Sequence, residues 1–385
     1  MRRCVAGAVA IVFSSLAGVA PGQTASITGL GDLPGGPFRS EVYNISDDGQ
    51  IVVGSSSVDD SFASHRAFRW TRAGGMQSLG KLSDNHGYSV AYGISGNGRW
   101  ISGSSVSADG YDAFRWSAET GMEALGDVPG GMHSSGAGSF TNDGRICFGS
   151  GIYNDINSRE AFRWTAETGL VPLGFAGGLG YKNSSLGSKT PDGRIAVGYS
   201  TTDRGSEAVM WTEETGYIPL GALDPNYWSS SAADITPDGR YIIGESYLEG
   251  KRTAFRWTQE AGMVPISPVG LGSARASPRS VTADGSIVVG WAQFRDDFAF
   301  IWTEAGGFER LDDYLLSHGL DLKALGWDLT DAHAITPDGR FIVVNGRNPN
   351  GDVEGAVIEI PSPSGASLFA LGALAGLYRA PRRRR

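Results

Sequence analysis

The pentapeptide Ala254-Phe255-Arg256-Trp257-Thr258 decides the fold, because close variants of its first four residues recur along most of the chain. Where the variant ends in tryptophan, successive tryptophans lie 46, 48, 47, 46 and 45 residues apart. The occurrences are Ala67–Trp70, Ala113–Trp116, Ala161–Trp164, Ala208–Trp211, Ala254–Trp257 and Ala299–Trp302, with a seventh, Ala356–Glu359, that lacks the tryptophan. A period of this length indicates a repeat architecture.

Each signature has the same companions in the same order. A segment rich in small residues, such as Ser229–Thr236, comes first, and an Asp-Gly or Asn-Gly dipeptide and a short apolar run follow it. After the signature comes a segment that ends in Leu-Gly, as at Leu125-Gly126. A dipeptide of this type between two strands predicts a hairpin with a type I′ turn. The dipeptides are Asp48-Gly49, Asn97-Gly98, Asp143-Gly144, Asp192-Gly193, Asp238-Gly239, Asp284-Gly285 and Asp338-Gly339.

Seven units of four antiparallel strands predict an all-β fold, a seven-bladed β-propeller that spans residues 23–360, with an open solenoid as the alternative. We place the small-residue strand innermost, where strands crowd around the axis, and the Leu-Gly strand outermost. The chain starts with a Leu-Gly strand (Ile27–Gly31) and stops after a signature strand (Ala356–Ile360). Pairing of these two strands is therefore expected to close the ring. Leu311–Gly319 reads as a short helix.

Met210 and Ile301 replace the signature arginine Arg256 in other units. Arg256 is therefore expected to pack the aliphatic part of its side chain against its neighbours rather than to bind a ligand.

The N-terminal residues 1–22 resemble a secretory signal peptide, with Arg2 and Arg3 before an apolar run and small residues up to Gly22. Cys147 is then the single cysteine left, so a core rather than disulfides must hold the exported domain. Removing the two N-terminal and five C-terminal arginines from the formal charge of −9 leaves −16 for the rest. This charge argues against a nucleic-acid partner.

The signature, together with Leu125–Gly131 and the Asp-Gly-Arg and Val-Gly elements, resembles the extracellular HAF repeat from Ile27 to about Ile360. The histidine of that family is absent here, because Arg66 or Asp112 stands before the Ala-Phe pair. The resemblance implies an extracellular repeat protein and no particular activity.

The tail, residues 361–385, resembles a PEP-CTERM sorting signal, with Pro361-Ser362-Pro363, an apolar run and a final block of arginines. A serine replaces the glutamate of that motif. The resemblance implies an exosortase-like processing enzyme as a partner, contact with a membrane only through this segment before processing, and delivery to the cell surface or matrix. A permanent weak anchor is the alternative.

No catalytic constellation, metal site or cofactor is predicted. The five histidines, His65, His86, His133, His318 and His333, show no metal-site spacing, and the Asp-Gly pairs serve as turns rather than calcium ligands. Acidic pairs such as Asp296-Asp297 could serve a glycosidase, which needs two facing carboxyl groups. Most such pairs are expected to be solvated loop residues.

Strand alternation gathers aromatic and amide side chains on one face, which suits a sugar or protein surface. Packing of these aromatics on neighbouring blades is the alternative. The candidate binding residues are Tyr111, Tyr153, Asn154, Tyr181, Asn226, Tyr227, Trp228 and Tyr247, with Asn157 and Asn183 beside them.

The sequence thus favours an exported, non-enzymatic propeller of the cell envelope or extracellular matrix that binds polysaccharide or protein through one loop face. The alternatives are a glycan-cleaving hydrolase or lyase and a purely structural matrix protein. Convergence of titratable groups in one concave site would distinguish the enzyme from the binding module.

Overall fold

A computed structural model describes residues 24–59, 64–153, 158–178, 182–268 and 275–360. Within these ranges the strands form seven antiparallel four-stranded sheets, the blades of a β-propeller, which confirms the predicted fold class. The predicted signal peptide and the sorting segment with Pro361, Ser362 and Pro363 lie outside the described residues. Within the described ranges, no helix is both long and apolar enough to cross a membrane.

The strands follow the repeat, and β1 (Ser26–Gly29) precedes the first complete blade. Blade one contains β2 (Ser40–Ile45), β3 (Ile51–Ser57), β4 (His65–Thr71) and β5 (Gly75–Gly80), and blade two contains β6 (Ser89–Ile94), β7 (Ile101–Val106), β8 (Tyr111–Ser117) and β9 (Gly121–Gly126). Blade three contains β10 (Ser135–Ala137), β11 (Ile146–Ile152), β12 (Arg159–Thr165) and β13 (Gly169–Pro172), and blade four contains β14 (Ser184–Lys189), β15 (Ile195–Thr201), β16 (Ser206–Thr212) and β17 (Gly216–Gly221). Blade five contains β18 (Ser230–Ile235), β19 (Ile242–Leu248), β20 (Lys251–Thr258) and β21 (Gly262–Pro265), and blade six contains β22 (Arg275–Val281), β23 (Ile287–Gln293), β24 (Asp297–Thr303) and β25 (Gly307–Arg310). Helix α1 (Leu311–Ser317) leads to blade seven, with β26 (Asp328–Ile335), β27 (Phe341–Arg347) and β28 (Val353–Glu359).

The strands of each complete blade are hydrogen-bonded in chain order. The first strand of each unit lines the central channel, so the predicted order from the axis outwards is confirmed. Antiparallel order puts the first-to-second-strand turns on one face, here called the turn face. The second-to-third-strand connections and the crossings between blades lie on the opposite face, here called the loop face.

The Asp-Gly turns are not of type I′, which corrects the predicted turn chemistry. Gly49 has a φ of 73°, whereas Glu249 is the one non-glycine residue with positive φ in the described ranges. Gly49 N–H donates to the carbonyl of Ser46, and the Ser46 hydroxyl donates to the Asp48 carboxylate at 2.6 Å. A serine or threonine two residues before the Asp or Asn repeats this contact in all seven units. The aspartate therefore fixes a turn whose positive φ falls on the glycine alone.

The glycine of the Val-Gly strand lets the inner strand and the signature phenylalanine pack closely. A Cβ on Gly54 would lie 2.0 Å from the carbonyl oxygen of Glu41 and 2.9 Å from the ring of Phe68. Phe68 is fully buried, as are its counterparts in the signature. The small residue is therefore a steric requirement of the core.

A serine at the start of the inner strand joins each of five blades to the one before it. Ala208 N–H donates to the Ser230 hydroxyl at 2.8 Å, and that hydroxyl donates to the Gly221 carbonyl at 2.6 Å. In blade six Ala276 occupies this position, and Ser267 of the preceding crossing accepts from Ala254 N–H instead. The serines are Ser40, Ser89, Ser135, Ser184 and Ser230.

The signature arginine also joins neighbouring blades, so the expectation of stem packing alone was incomplete. The Arg256 guanidinium lies 4.8 Å from the ring of Tyr241 and 4.9 Å from that of Trp302 in the next blade. It also donates to the Gly285 carbonyl at 2.9 Å, in the Asp-Gly turn of that blade. Arg115 makes the equivalent contacts with Trp100, Trp164 and Gly144. Each such arginine adds cation–π contacts and a hydrogen bond between blades.

The two ends of the described chain close the ring, as predicted. Strand β1 pairs antiparallel with β28, with Ile27 opposite Ile358. Gly31 N–H then donates to the largely buried Glu354 carboxylate at 2.8 Å. The predicted short helix is α1, and its Leu311 and Leu315 are buried in the same cluster as Ile358.

Candidate ligand-binding site in the central channel

The inner strands of all seven blades enclose a cavity of about 760 Å³. This volume is in the range of small-molecule and cofactor sites. The cavity is lined mainly by residues of the innermost strands and reaches Asp47, Gly96 and Asn142 at the turn face.

A β-bulge in six of the inner strands decides which side chains enter the cavity. The bulged residue is large in four adjacent blades, with Arg279, His333, Tyr43 and Tyr92 in blades six, seven, one and two. In blades three to five the same position holds Gly138, Gly187 and Ala233, and the last two are bulged. Bulges commonly re-aim side chains beside functional sites. These four large residues form what we call the channel arc, which faces a wall of small residues.

Contacts connect the members of the channel arc. The Tyr43 ring lies edge-on to Tyr92 and to His333, with centroids 5.6 and 5.2 Å away. His333 Nε2 lies 3.0 Å from the Asp331 carboxylate, and Arg279 lies 3.5 Å from the same group. These contacts hold the arc as one polar and aromatic surface.

Tyr43 also donates from its hydroxyl to Glu41 Oε2 at 3.0 Å. Burial, with a smaller contribution from the Glu41 charge, raises the pKa of Tyr43 well above its usual value of 10. The phenol therefore stays neutral and able to donate hydrogen bonds at physiological pH.

The carboxylates near the loop-face mouth of the cavity already have cationic partners. Glu41 pairs with Arg39 at 2.7 Å, and Glu245 pairs with Arg252. Asp331 Oδ1 is buried without a hydrogen bond to any described residue. Pairing of this kind suits recognition of a polar ligand more than proton transfer by a free acid.

Two cations on blades three and four differ from these pairs. Arg159 Nε donates to the Ser150 hydroxyl at 3.3 Å, and no carboxylate of the described residues lies within ion-pair distance of Arg159. Lys189 lines the cavity nearer the turn face, where burial lowers its pKa to about 8 and the nearby carboxylate of Asp47 opposes that shift. The corresponding residues of the other blades are apolar, as Ile94 and Ile235 illustrate.

A smaller cavity of about 230 Å³ adjoins the channel on blades four and five. It is lined by Tyr199, Tyr247 and Arg252, while Glu245 lines both cavities. The ring of Tyr247 lies 4.6 Å from that of Tyr227, which is 51% exposed. The loop face and the channel are therefore joined through Glu245 and Tyr247.

The other predicted binding residues lie on the loop face and contact a neighbour. Tyr111 stacks on Tyr88 at 4.4 Å, and Tyr153 meets Phe175 edge-on at 5.7 Å. Trp228 lies beneath the Arg204 guanidinium at 4.1 Å, whereas Asn226 is exposed. Asn183 uses its amide oxygen to accept from Tyr199 at 3.4 Å. Asn154, Asn157 and Tyr181 lie outside the described residues.

The channel arc was missed by sequence reasoning, although a signal for it exists. Arg279, His333, Tyr43 and Tyr92 each stand six residues before the glycine of an Asp-Gly or Asn-Gly dipeptide. Alignment of the inner strands on that glycine would have shown large polar side chains in an otherwise small-residue column. Among the described residues, no group of three or more His, Cys, Asp or Glu side chains is arranged to hold a metal ion.

No family model and no curated protein matches the chain. Among solved structures, it is similar to the oligogalacturonate lyase of Vibrio parahaemolyticus, with 13% identity, a TM-score of 0.54, and coverage of 89% of this chain and 95% of that one. An oligogalacturonate lyase in complex with manganese gives 12% identity, a TM-score of 0.52, and coverage of 90% and 98%. TolB from Acinetobacter baumannii gives 12% identity, a TM-score of 0.47 and coverage of 82% of this chain, which spans 65% of the TolB chain. The two lyase structures, with TM-scores above 0.5, share the fold of this chain, and at these identities they indicate nothing further.

Proposed function

We propose that the protein is an exported, non-enzymatic propeller that binds a polysaccharide of the cell envelope or extracellular matrix. The ligand enters the loop-face mouth of the central channel and extends across Glu245 and Tyr247 towards Tyr227. The observation that carries the proposal is the channel arc, which faces small residues across a cavity of about 760 Å³.

The chemistry of the arc suits a sugar chain. Phenol and imidazole rings offer flat apolar area with hydrogen-bonding groups at the edge, which is what a pyranose ring and its hydroxyls require. Tyr92 is 41% exposed and Tyr227 51%, so both present ring surface to a ligand. The smaller cavity shares Glu245 with the channel and is also lined by Tyr247, whose ring contacts Tyr227.

Export is supported by the sequence of residues 1–22 and by the tail, residues 361–385. In this proposal an exosortase-like enzyme cuts near Pro361-Ser362-Pro363 and releases the propeller to the cell surface or matrix. Mass spectrometry of the protein recovered outside the cell tests this, because an intact chain that still ends at Arg385 would contradict processing.

Binding to immobilised polysaccharides is the direct test of function. Saturable binding, with no new reducing ends and no unsaturated products after prolonged incubation, is the expected result. Binding to an envelope protein but to no polysaccharide would replace the sugar by a protein partner at the same face.

A glycan-cleaving enzyme is the second candidate, because the His333–Asp331 pair at 3.0 Å places a titratable imidazole in the cavity. Release of shorter oligosaccharides that stops in His333→Ala would establish this activity. Absence of products with any bound polysaccharide would exclude it for those ligands.

A further inference from the structure

Arg159 lines the cavity, and its guanidinium has no ion-pair partner among the residues that the structure describes. Its Nε is hydrogen-bonded to Ser150, and the Ser185 hydroxyl donates to the same Ser150 oxygen at 3.1 Å. Both terminal nitrogens lack a hydrogen bond to the described residues. The side chain is partly buried and lines the cavity, with its backbone at the loop-face start of β12.

The other charges of the cavity do not provide a partner for it. The lining contains the cations Arg159, Lys189 and Arg279 and the anions Asp47, Asp234 and Glu245, so the charges balance overall. Glu245 is held by Arg252, and Arg279 lies against Asp331. Asp234 accepts from the Ser188 hydroxyl at 2.6 Å and from Ile235 and Val281 N–H at 2.9 and 3.1 Å. The cavity is therefore no general basic surface, and any preference for an anion must come from particular residues.

The geometry around Arg159 fits a planar anion on a sugar. A guanidinium whose Nε is already occupied presents its two Nη groups end-on, which matches the two oxygens of a carboxylate. The Ser185 hydroxyl, which is bonded to the same Ser150 as Arg159, and the Tyr92 ring also line the cavity. Lys189, nearer the turn face on β14, has no ion-pair partner among the described residues and offers a second positive charge.

We infer that the saccharide bound in the channel is acidic, with the carboxylate of a uronic acid residue held by Arg159. This inference rests on the proposed function, because it names the class of polysaccharide that the same site takes. A chain with carboxylates on successive residues brings one to Arg159 and another towards Lys189.

Calorimetric titration of the full chain with oligogalacturonates tests the inference, with the same oligomers methyl-esterified as the neutral probe. The acidic oligomers should bind at least about tenfold more tightly than the esters. Arg159→Gln should remove most of that difference. Arg194→Gln is the matched control, because it removes the same charge from a side chain that is 86% exposed on the turn face.

The outcomes separate the inference from the function on which it rests. Equal affinity for acid and ester, or an acid preference that survives in Arg159→Gln, would overturn the inference and leave saccharide binding intact. Binding of sulfated but not uronate oligomers would also overturn it, since the carboxylate would not be the recognised group. Failure to bind either probe or any neutral polysaccharide would contradict the proposed function itself.

Discussion

The phenol ring of Tyr43 in blade one meets the imidazole of His333 in blade seven edge to face, with ring centroids 5.2 Å apart. Both residues occupy the bulge of an innermost strand, so both side chains enter the channel instead of the interface between blades. The contact joins the first and last units of the propeller at the axis. The candidate binding site therefore spans the junction between the first and last blades.

Ser230, one of the serines that join neighbouring blades, is expected to stabilise the folded protein. Ser230→Ala removes the acceptor for Ala208 N–H and the donor to Gly221, and leaves a buried N–H without a partner. The free energy of unfolding should fall by about 1–3 kcal/mol. Denaturant unfolding measures it, with the exposed Ser206→Ala as the control that should change little. Equal effects of the two substitutions would mean that the serine does not link the blades.

The buried side chain of Lys189 is expected to lower the free energy of unfolding by an amount that depends on pH. Its pKa is lowered to about 8 in the folded protein, against about 10.4 when unfolded, so the folded state binds fewer protons between these values and stability rises with pH there. Below pH 8 the lysine is charged in both states, and it then lowers the free energy of unfolding by the full amount. Lys189→Met should raise the free energy of unfolding at pH 7 by ~1–3 kcal/mol, with the difference from wild type vanishing above pH 10.5.

Unfolding curves of wild type and Lys189→Met from pH 7 to 10.5 provide the measurement. Lys323→Met, at an exposed position, should give a difference that does not vary with pH. A constant difference for Lys189→Met as well would show that burial does not perturb this lysine.

If β1 closes the ring, an apolar side chain on β1 should contribute more to stability than a comparable side chain on another outer strand. Ile27 packs against the cluster of Leu311 and Ile358, whereas Val171 on the outer strand of blade three is 42% exposed. Ile27→Ala should lower the free energy of unfolding by about 1–3 kcal/mol, and Val171→Ala by less than ~0.5 kcal/mol. Thermal melts of both variants would contradict the closure if the two midpoints fell equally.

The repeat made most of the fold predictable from the sequence. A fixed period with an Asp-Gly turn and a signature strand set the blade number, the strand order and the pairing of the chain ends. The turn type was mispredicted because the hydroxyl of residues such as Ser46 holds the Asp48 carboxylate, so positive φ is needed only at Gly49. The arginine contacts between blades were missed because they depend on Tyr241 and Trp302, which come together only in the folded ring.

The candidate site was less predictable, for a physical reason. A bulge reverses the side-chain alternation of a strand, so a residue such as Tyr43 that alternation assigns to one face points to the other. Loop aromatics such as Tyr227 and Tyr247 were visible as a set, but their link to the channel through Glu245 depends on tertiary placement.

Gly187 offers the most direct test of binding in the channel. It occupies the bulge position of blade four, its φ is not in the left-handed region, and a Cβ there would meet nothing within 4 Å. Gly187→Tyr should therefore fill the cavity without disturbing the fold. The decisive measurement is the calorimetric affinity of this variant for the polysaccharide that wild type binds, beside Gln77→Tyr on an exposed outer strand as the control. We expect at least about a tenfold loss of affinity with an unchanged melting midpoint, and unchanged affinity in Gly187→Tyr would contradict a ligand site in the channel.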